Sequence, residues 1–253
     1  MKELELYLHI PFCERKCAYC DFLSAPASTE AQRQYLLALL REIRSFPRKE
    51  EYEVVSVFFG GGTPSIWPSD WIEMVLVALH DMFSFVNEPE ITIECNPGTA
   101  DVSKLVAYRS LGINRISFGL QSTDDRELRL LGRIHSFETF CETYAAARQA
   151  GFSNVNIDLM SALPGQTPES WRETLNRVLA LQPEHISAYS LIIEEGTPFC
   201  QLFGEDGDAE EENKRRQSLG IPELPDEDAE RRMYYDTERI LGEAGYHRYE
   251  ISN

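Results

Sequence analysis

Short runs of alternating apolar and polar residues recur along this chain. Each is followed by a longer stretch whose apolar positions repeat every three to four residues. The first pattern is that of a half-buried strand and the second that of an amphipathic helix. Strands are predicted over residues 4–10, 54–59, 90–95, 113–119, 153–159 and 185–192. The first helix carries Tyr35, Leu36, Leu39, Leu40 and Ile43 on one face, with Thr29 and Gln32 at the spacing of a capping box. The second follows Ser69 with Ile72, Val75, Leu76 and Leu79, and a short third lies near 101–110. The fourth runs from Ser136 to Gly151 and buries Phe137, Phe140, Cys141 and Tyr144. Thr167 caps the fifth, with Pro168 at its first position and Trp171, Leu175, Val178 and Leu179 as its stripe. A sixth, over 227–244, carries Met233, Thr237, Ile240 and Leu241. Strand and helix thus alternate about six times, the signature of βαβ units and a parallel sheet in an α/β fold. The polar, acidic stretch 204–226, broken by Gly and Pro, is predicted to be a solvated loop.

Successive strand residues face opposite sides of a sheet. Leu4, Leu6, Leu8 and Ile10 oppose Glu5, Tyr7 and His9; Ile91, Ile93 and Cys95 oppose Thr92, Glu94 and Asn96. Farther on, Ile116, Phe118 and Leu120 oppose Arg115, Ser117, Gly119 and Gln121. Val155, Ile157 and Leu159 oppose Asn156, Asp158 and Met160, and Ile186 and Ala188 oppose His185, Ser187 and Tyr189. One face suits helices packed outside. The other is polar where a closed barrel stacks branched aliphatics. Polar groups buried without partners cost about 1–3 kcal/mol each. So many of them predict a partly open, TIM-like barrel whose lumen takes ligand and water.

Composition narrows the picture further. The chain has 253 residues, 43% of them hydrophobic, which suits a globular protein. It has no apolar run of the ~18 residues that a transmembrane segment needs, and no signal-peptide core. The expectation is a reducing, cytoplasmic setting. The net charge of −18 comes from 24 basic and 42 acidic residues, and Lys214-Arg215-Arg216 is the one dense basic group. Nucleic-acid surfaces cluster Lys and Arg, so no nucleic-acid partner is expected.

Cys13, Cys17 and Cys20 carry the chemistry. Thiolates select zinc, copper(I) or iron–sulfur clusters. A structural zinc site would want a fourth ligand, for which His9 is the local candidate. A [4Fe–4S] cube would leave one iron open to a small chelating molecule. A disulfide suits neither the odd number nor the compartment. Gly60-Gly61-Gly62-Thr63 follows the second strand and allows close backbone approach of a ligand. Cys95, Cys141 and Cys200 read as small core residues and Trp67, Trp71 and Trp171 as packing. His80 and His247 read as ordinary surface or core histidines, whereas His9 and His135 lie near the proposed site.

The three cysteines at this spacing, with Tyr19 before the third and Phe22 after it, resemble the radical S-adenosylmethionine (SAM) superfamily. Further segments occur in order: Tyr7-Leu8-His9-Ile10-Pro11-Phe12-Cys13, Phe59 to Ser65, Ile93-Glu94-Cys95-Asn96-Pro97-Gly98, Arg115 to Ser122, Gly132-Arg133-Ile134-His135-Ser136, Asn156 to Met160, Leu163 to Thr167, Ile193 to Pro198 and Tyr249 to Asn253. Together they are similar to the oxygen-independent coproporphyrinogen III oxidase group, and within it to the HemW-type haem chaperones.

The resemblance implies a partial, open (β/α)6 TIM-like barrel of the radical SAM type, with residues 1–200 as its core. Residues 201–253 would form an acidic linker, a helix and the start of a C-terminal extension. It implies a [4Fe–4S] cluster on Cys13, Cys17 and Cys20. SAM would be contacted by Tyr7, Tyr19, Gly61, Gly62, Thr63, Glu94, Gln121, Arg133 and Asp158, with Asp158 a natural partner for ribose hydroxyls. An electron from the cluster would cleave SAM to a 5′-deoxyadenosyl radical, supplied by a donor such as flavodoxin or ferredoxin. Haem would be bound and delivered to an accepting protein. The decarboxylases of the group, which turn coproporphyrinogen III into protoporphyrinogen IX, carry a fourth cysteine where this chain has Phe22. That favours the chaperone branch. Chaperone-type members continue into a C-terminal domain with a His-Asn-x-x-Tyr-Trp motif, which this sequence does not contain, so that domain is expected to be absent.

Overall fold

The computed structural model describes residues 1–47, 49–204 and 209–251. Its elements follow in the order β1 (Lys2–Ile10), α1 (Thr29–Ser45), β2 (Tyr52–Gly61), α2 (Ser69–Met82), β3 (Ser84–Cys95), α3 (Val102–Ser110), β4 (Arg115–Gln121), α4 (Asp125–Leu130), α5 (Phe137–Gln149), β5 (Val155–Ser161), α6 (Pro168–Leu179), β6 (His185–Ser190), α7 (Cys200–Phe203), α8 (Ala209–Leu219) and α9 (Glu227–Glu243). The strands form one sheet in the order β1-β2-β3-β4-β5-β6. The pairs β1/β2, β2/β3, β3/β4 and β5/β6 are parallel. This is the expected α/β class, six strand–helix repeats of the open (β/α)6 type. Among the described residues, no helix is long and apolar enough to cross a membrane.

The chain divides into two compact units. The first comprises Met1–Lys16, Phe22–Phe118 and Cys141–Val155. Its core holds Leu36 and Leu40 of α1, Ile72, Val75 and Leu79 of α2, and Val57, Phe59, Ile91 and Ile93 of the strands, all buried. Each such side chain contributes roughly 1.5–3 kcal/mol of apolar burial. The second unit comprises Cys17–Asp21, Gly119–Phe140 and Asn156–Asn253. There α6 packs on α9, joined by the Trp171 indole N–H, which donates to the Met233 carbonyl at 3.2 Å and the Thr237 hydroxyl at 2.9 Å. Arg172 pairs with Asp236 beside it at 2.9 Å. Replacing Trp171 with phenylalanine removes the donor and part of a fully buried ring system. A loss of about 2–4 kcal/mol is expected in a urea titration. An unshifted midpoint would show that neither the donor nor the lost ring holds α6 to α9.

Several local expectations differ from what is observed. Helix α1 is capped by Ser28, whose hydroxyl accepts from the Ala31 N–H at 3.2 Å. The capping position is therefore one residue earlier than the Thr29 box suggests, and Gln32 instead donates to the Ala27 carbonyl. Helix α6 follows its pattern, with Thr167 and Ser170 bonding each other's backbone N–H. In α5, Phe140 and Tyr144 are buried as expected, while Phe137 and Cys141 are only half-buried.

Strand β3 begins at Ser84 rather than at 90. Proline lacks a donor and reads as a strand boundary, but here the pairing shifts register and takes Pro89 in its stride: Val54 faces Phe85 and Ser56 already faces Glu90. The predicted loop 204–226 contains α8, a correction to that expectation. Most of residues 210–219 are exposed, as foreseen. They are helical because Glu, Lys, Arg and Gln are good helix formers, helped by the Lys214–Glu210 pair at 2.7 Å. Residues 205–208 of that stretch, and Ser252 and Asn253 of the closing motif, lie outside the described residues.

Candidate functional site

The first unit holds Tyr7, Cys13, Gly61, Gly62, Thr63 and Glu94. The chain leaving β1 and the turn leaving β2 are laced together by backbone bonds. Gly62 N–H donates to Ile10 O at 2.8 Å, and Thr63 N–H to Phe12 O at 2.7 Å. A Cβ on Gly62 would stand 2.5 Å from the Phe12 carbonyl oxygen, so only glycine permits this approach. Gly61 sits at φ +115°, and its N–H donates to a Glu94 carboxylate oxygen at 3.0 Å. Glu94 therefore fixes the glycine turn. The Thr63 hydroxyl accepts from the Asn96 amide at 2.8 Å, and the Asn96 N–H donates to the Ser65 hydroxyl at 3.2 Å. Lys104 closes this end by donating to the Ser65 carbonyl at 2.5 Å.

Tyr7 is 60% exposed and stacks on Phe58 with ring centroids 5.9 Å apart. Partial burial, and next the Glu94 carboxylate, raise its phenol pKa. His9 Nε2 donates to the Leu23 carbonyl at 2.9 Å, and its Nδ1 accepts from the Tyr7 hydroxyl at 3.3 Å. Both nitrogens are engaged, which makes His9 a tie across the cysteine-bearing loop. The Cys13 thiol is buried and lies 3.9 Å from the Ser24 hydroxyl.

The second unit holds Cys17, Tyr19, Cys20, Gln121, Arg133 and Asp158. Ala18, between the first two, is fixed on both sides: its N–H donates to Leu131 O at 2.9 Å and its carbonyl accepts from Phe199 N–H at 3.0 Å. Cys20 N–H donates to Cys17 O at 3.3 Å. Tyr19 packs on the buried cluster of Leu131, Met160, Leu163, Phe199 and Leu202. That burial raises its phenol pKa, against the lowering effect of the Arg133 charge. Arg133 is no surface arginine. One guanidinium nitrogen donates to the Cys17 sulfur at 3.7 Å and another to the Gly119 carbonyl.

Gln121 ends β4 at φ +73°. Its amide oxygen accepts from the buried Tyr189 hydroxyl at 2.8 Å. The next residues are pinned as well. The Ser122 hydroxyl donates to Glu127 at 2.5 Å, Gln166 donates to the same carboxylate oxygen at 3.0 Å, and Arg177 donates to the Thr123 carbonyl at 2.7 Å. Burial pushes the Glu127 carboxyl up despite these two donors. On β5, Asp158 accepts from the Asn156 amide at 2.7 Å. His135 bonds the Leu120 carbonyl at 3.4 Å. Burial, with Arg133 beside it, pushes its imidazole down to about 4, so it is neutral at physiological pH.

Asn156, His185 and Tyr189 on the polar strand faces, and Asn96 just past the end of β3, hold the expected site residues. Strand parity set all four on the polar side without assigning them a role. All six cysteines are thiols. Among the described residues, no three His, Cys, Asp or Glu side chains are grouped to hold a metal ion. Cys95 is buried, as expected for a core residue, and Trp67 and Trp171 are buried packing.

Comparison with known proteins places these features. A Radical SAM superfamily profile matches residues 7–178. The chain is 36% identical over 253 residues to the protein named heme chaperone HemW of Synechocystis sp., across 98% of this chain and 58% of that one. It is 36% identical over 250 residues to the mouse protein named radical S-adenosyl methionine domain-containing protein 1, mitochondrial, across 98% of this chain and 53% of that one. The solved coproporphyrinogen III oxidase of Escherichia coli superposes with a TM-score of 0.80 at 28% identity, covering 97% of this chain and 54% of that one. The chain thus spans between half and three fifths of the length of these relatives. A profile match running from within β1 to the end of α6 fixes the affiliation: the chain belongs to the radical SAM superfamily, and a [4Fe–4S] cluster and S-adenosylmethionine are the cofactors that this implies.

Proposed function

We propose that this chain is the cluster- and SAM-binding part of a haem chaperone, acting in a reducing compartment such as the cytoplasm. The observation that carries this reading is the 36% identity to a protein named a haem chaperone across 98% of this chain. Phe22 supports it. It stands where the decarboxylating relatives would carry a fourth cysteine, and its side chain is 66% exposed.

The residues present suit the implied groups. Cys13, Cys17 and Cys20 are soft donors, and an Arg133 guanidinium nitrogen lies 3.7 Å from the Cys17 sulfur. A reduced cluster held there would supply the electron for reductive cleavage of SAM. The chain's own work is binding and positioning. Gly61, Gly62 and Thr63, with Glu94 behind them, offer a turn whose shape is fixed from two sides. Tyr7 and Tyr19 present aromatic surface, and Gln121, Arg133 and Asp158 present polar groups, for the remainder of SAM. Haem as cargo, a haem-accepting protein, and flavodoxin or ferredoxin as electron donor are parts of the same proposal.

The test is a single anaerobically reconstituted sample. With SAM and dithionite it should release 5′-deoxyadenosine. It should bind haem in a spectroscopic titration, and it should leave coproporphyrinogen III intact. Decarboxylation of the porphyrinogen at a sustained rate would move the chain to the oxidase branch, the one whose solved member has a TM-score of 0.80.

A further inference from the structure

The closing motif at Tyr249 plays no part in the site described so far, yet a chain of hydrogen bonds leads from it to Asp158. Asn156 settles the direction. Its amide nitrogen donates to the Asp158 carboxylate at 2.7 Å. Its amide oxygen must then be the acceptor toward the Ser187 hydroxyl at 3.1 Å and His185 Nδ1. His185 therefore carries its proton on Nδ1. With the ring's proton on Nδ1, Nε2 accepts from the Tyr249 hydroxyl at 2.8 Å. Every donor in the series Tyr249, His185, Asn156 points toward Asp158, and aligned chains of this kind polarise and strengthen one another.

The far end of the chain is lightly held. The segment around Tyr249 crosses a cavity of about 910 Å³ lined by His185, Ser187, Tyr234, Leu241 and Tyr246, among others. Tyr249 itself is 75% exposed. The contacts that hold this segment include Tyr249 to His185, the Tyr246 hydroxyl to the Pro183 carbonyl and the Arg248 guanidinium over the Tyr234 ring at 4.7 Å.

The geometry points to Asn156 and His185 as positioning residues that set the rotamer of the Asp158 carboxylate for a ribose diol, with Tyr249 completing the series from the closing segment. This rests on the SAM binding proposed above. A carboxylate accepts two hydroxyls well only when it is turned to meet both, so its orientation bears on the ribose and not on the rest of the ligand.

The probes are SAM and its 2′-deoxyribose analogue, measured by equilibrium dialysis on the reconstituted chain. Wild type is expected to prefer SAM by about tenfold, the value of one hydrogen bond to a charged group. Asn156→Asp keeps the shape but sets an acceptor where Asp158 needs a donor. It should weaken SAM about tenfold and the analogue, which keeps its 3′-hydroxyl, by less, so that the preference falls. Tyr249→Phe, at an exposed position, should reduce the preference about threefold. On an Asp158→Asn background neither change should have further effect. Equal weakening of both ligands by Asn156→Asp would mean a merely structural role and overturn the inference, as would an unaltered preference. Wild type that binds neither ligand would instead overturn the SAM reading of the site.

Discussion

Changing Cys17 to alanine is expected to take the anaerobically reconstituted protein from about four irons and four sulfides per chain to nearly none. A cube held by these three thiolates would have no protein ligand to spare. Loss of a second iron's ligand exposes the cluster to solvent and to chelators. Cys13→Ala and Cys20→Ala should behave alike. Cys141→Ala, half-buried on α5, should keep its full iron and sulfide content. Metal and acid-labile sulfide analysis on the four variants decides the matter. Wild type that carried one zinc and no sulfide would replace the cluster with a structural metal site. Retention of iron by Cys17→Ala would remove that residue from the ligand set.

The second large effect is expected at Gly62. An alanine Cβ would stand 2.5 Å from the Phe12 carbonyl oxygen and 2.8 Å from its carbon, both backbone atoms that cannot rotate away. Relief requires parting the β2 turn from the chain after β1. That breaks or stretches the Gly62–Ile10 and Thr63–Phe12 bonds. Overpacking costs about 1–3 kcal/mol, and two strained backbone bonds add roughly 1 kcal/mol each. Gly62→Ala should therefore lose about 3–5 kcal/mol in a denaturant titration, together with SAM binding. Gly242 in α9 is the counterpart, since no neighbour lies within 4 Å of where its methyl group would stand. Gly242→Ala should gain about 0.5–1 kcal/mol from helix propensity. The two substitutions are chemically identical and should act with opposite signs. A Gly62→Ala protein as stable as wild type would mean the two segments can part freely.

Strand parity was the most legible feature of the sequence, because a period of two survives any tertiary context that buries one face. The polar partners it set aside are those the structure joins: Asn156 to Asp158, and His185 and Ser187 to Asn156. Helix α8 was not legible, since a run such as Glu211-Glu212-Asn213-Lys214-Arg215 carries no apolar stripe to mark a buried side. The short α4 and α7, of six and four residues, offer too few turns for any period. Arg133 came from the family resemblance alone. It lies in an irregular connection, where parity says nothing, and its contact with Cys17 spans 116 positions of sequence. His9 shows the opposite limit. Chemistry marked it as a candidate ligand, but only coordinates reveal that Leu23 and Tyr7 already occupy its nitrogens.

The backbone at Gln121 bears on how freely this protein could be redesigned. At φ +73°, glycine, asparagine and aspartate are the residues that sit without much strain. All three are too short to span from that Cα to the Tyr189 hydroxyl as glutamine does. Glutamate shares glutamine's length and offers the same acceptor. A randomised library at this codon should therefore return glutamine and glutamate, since the shorter residues that suit the backbone lose the Tyr189 contact.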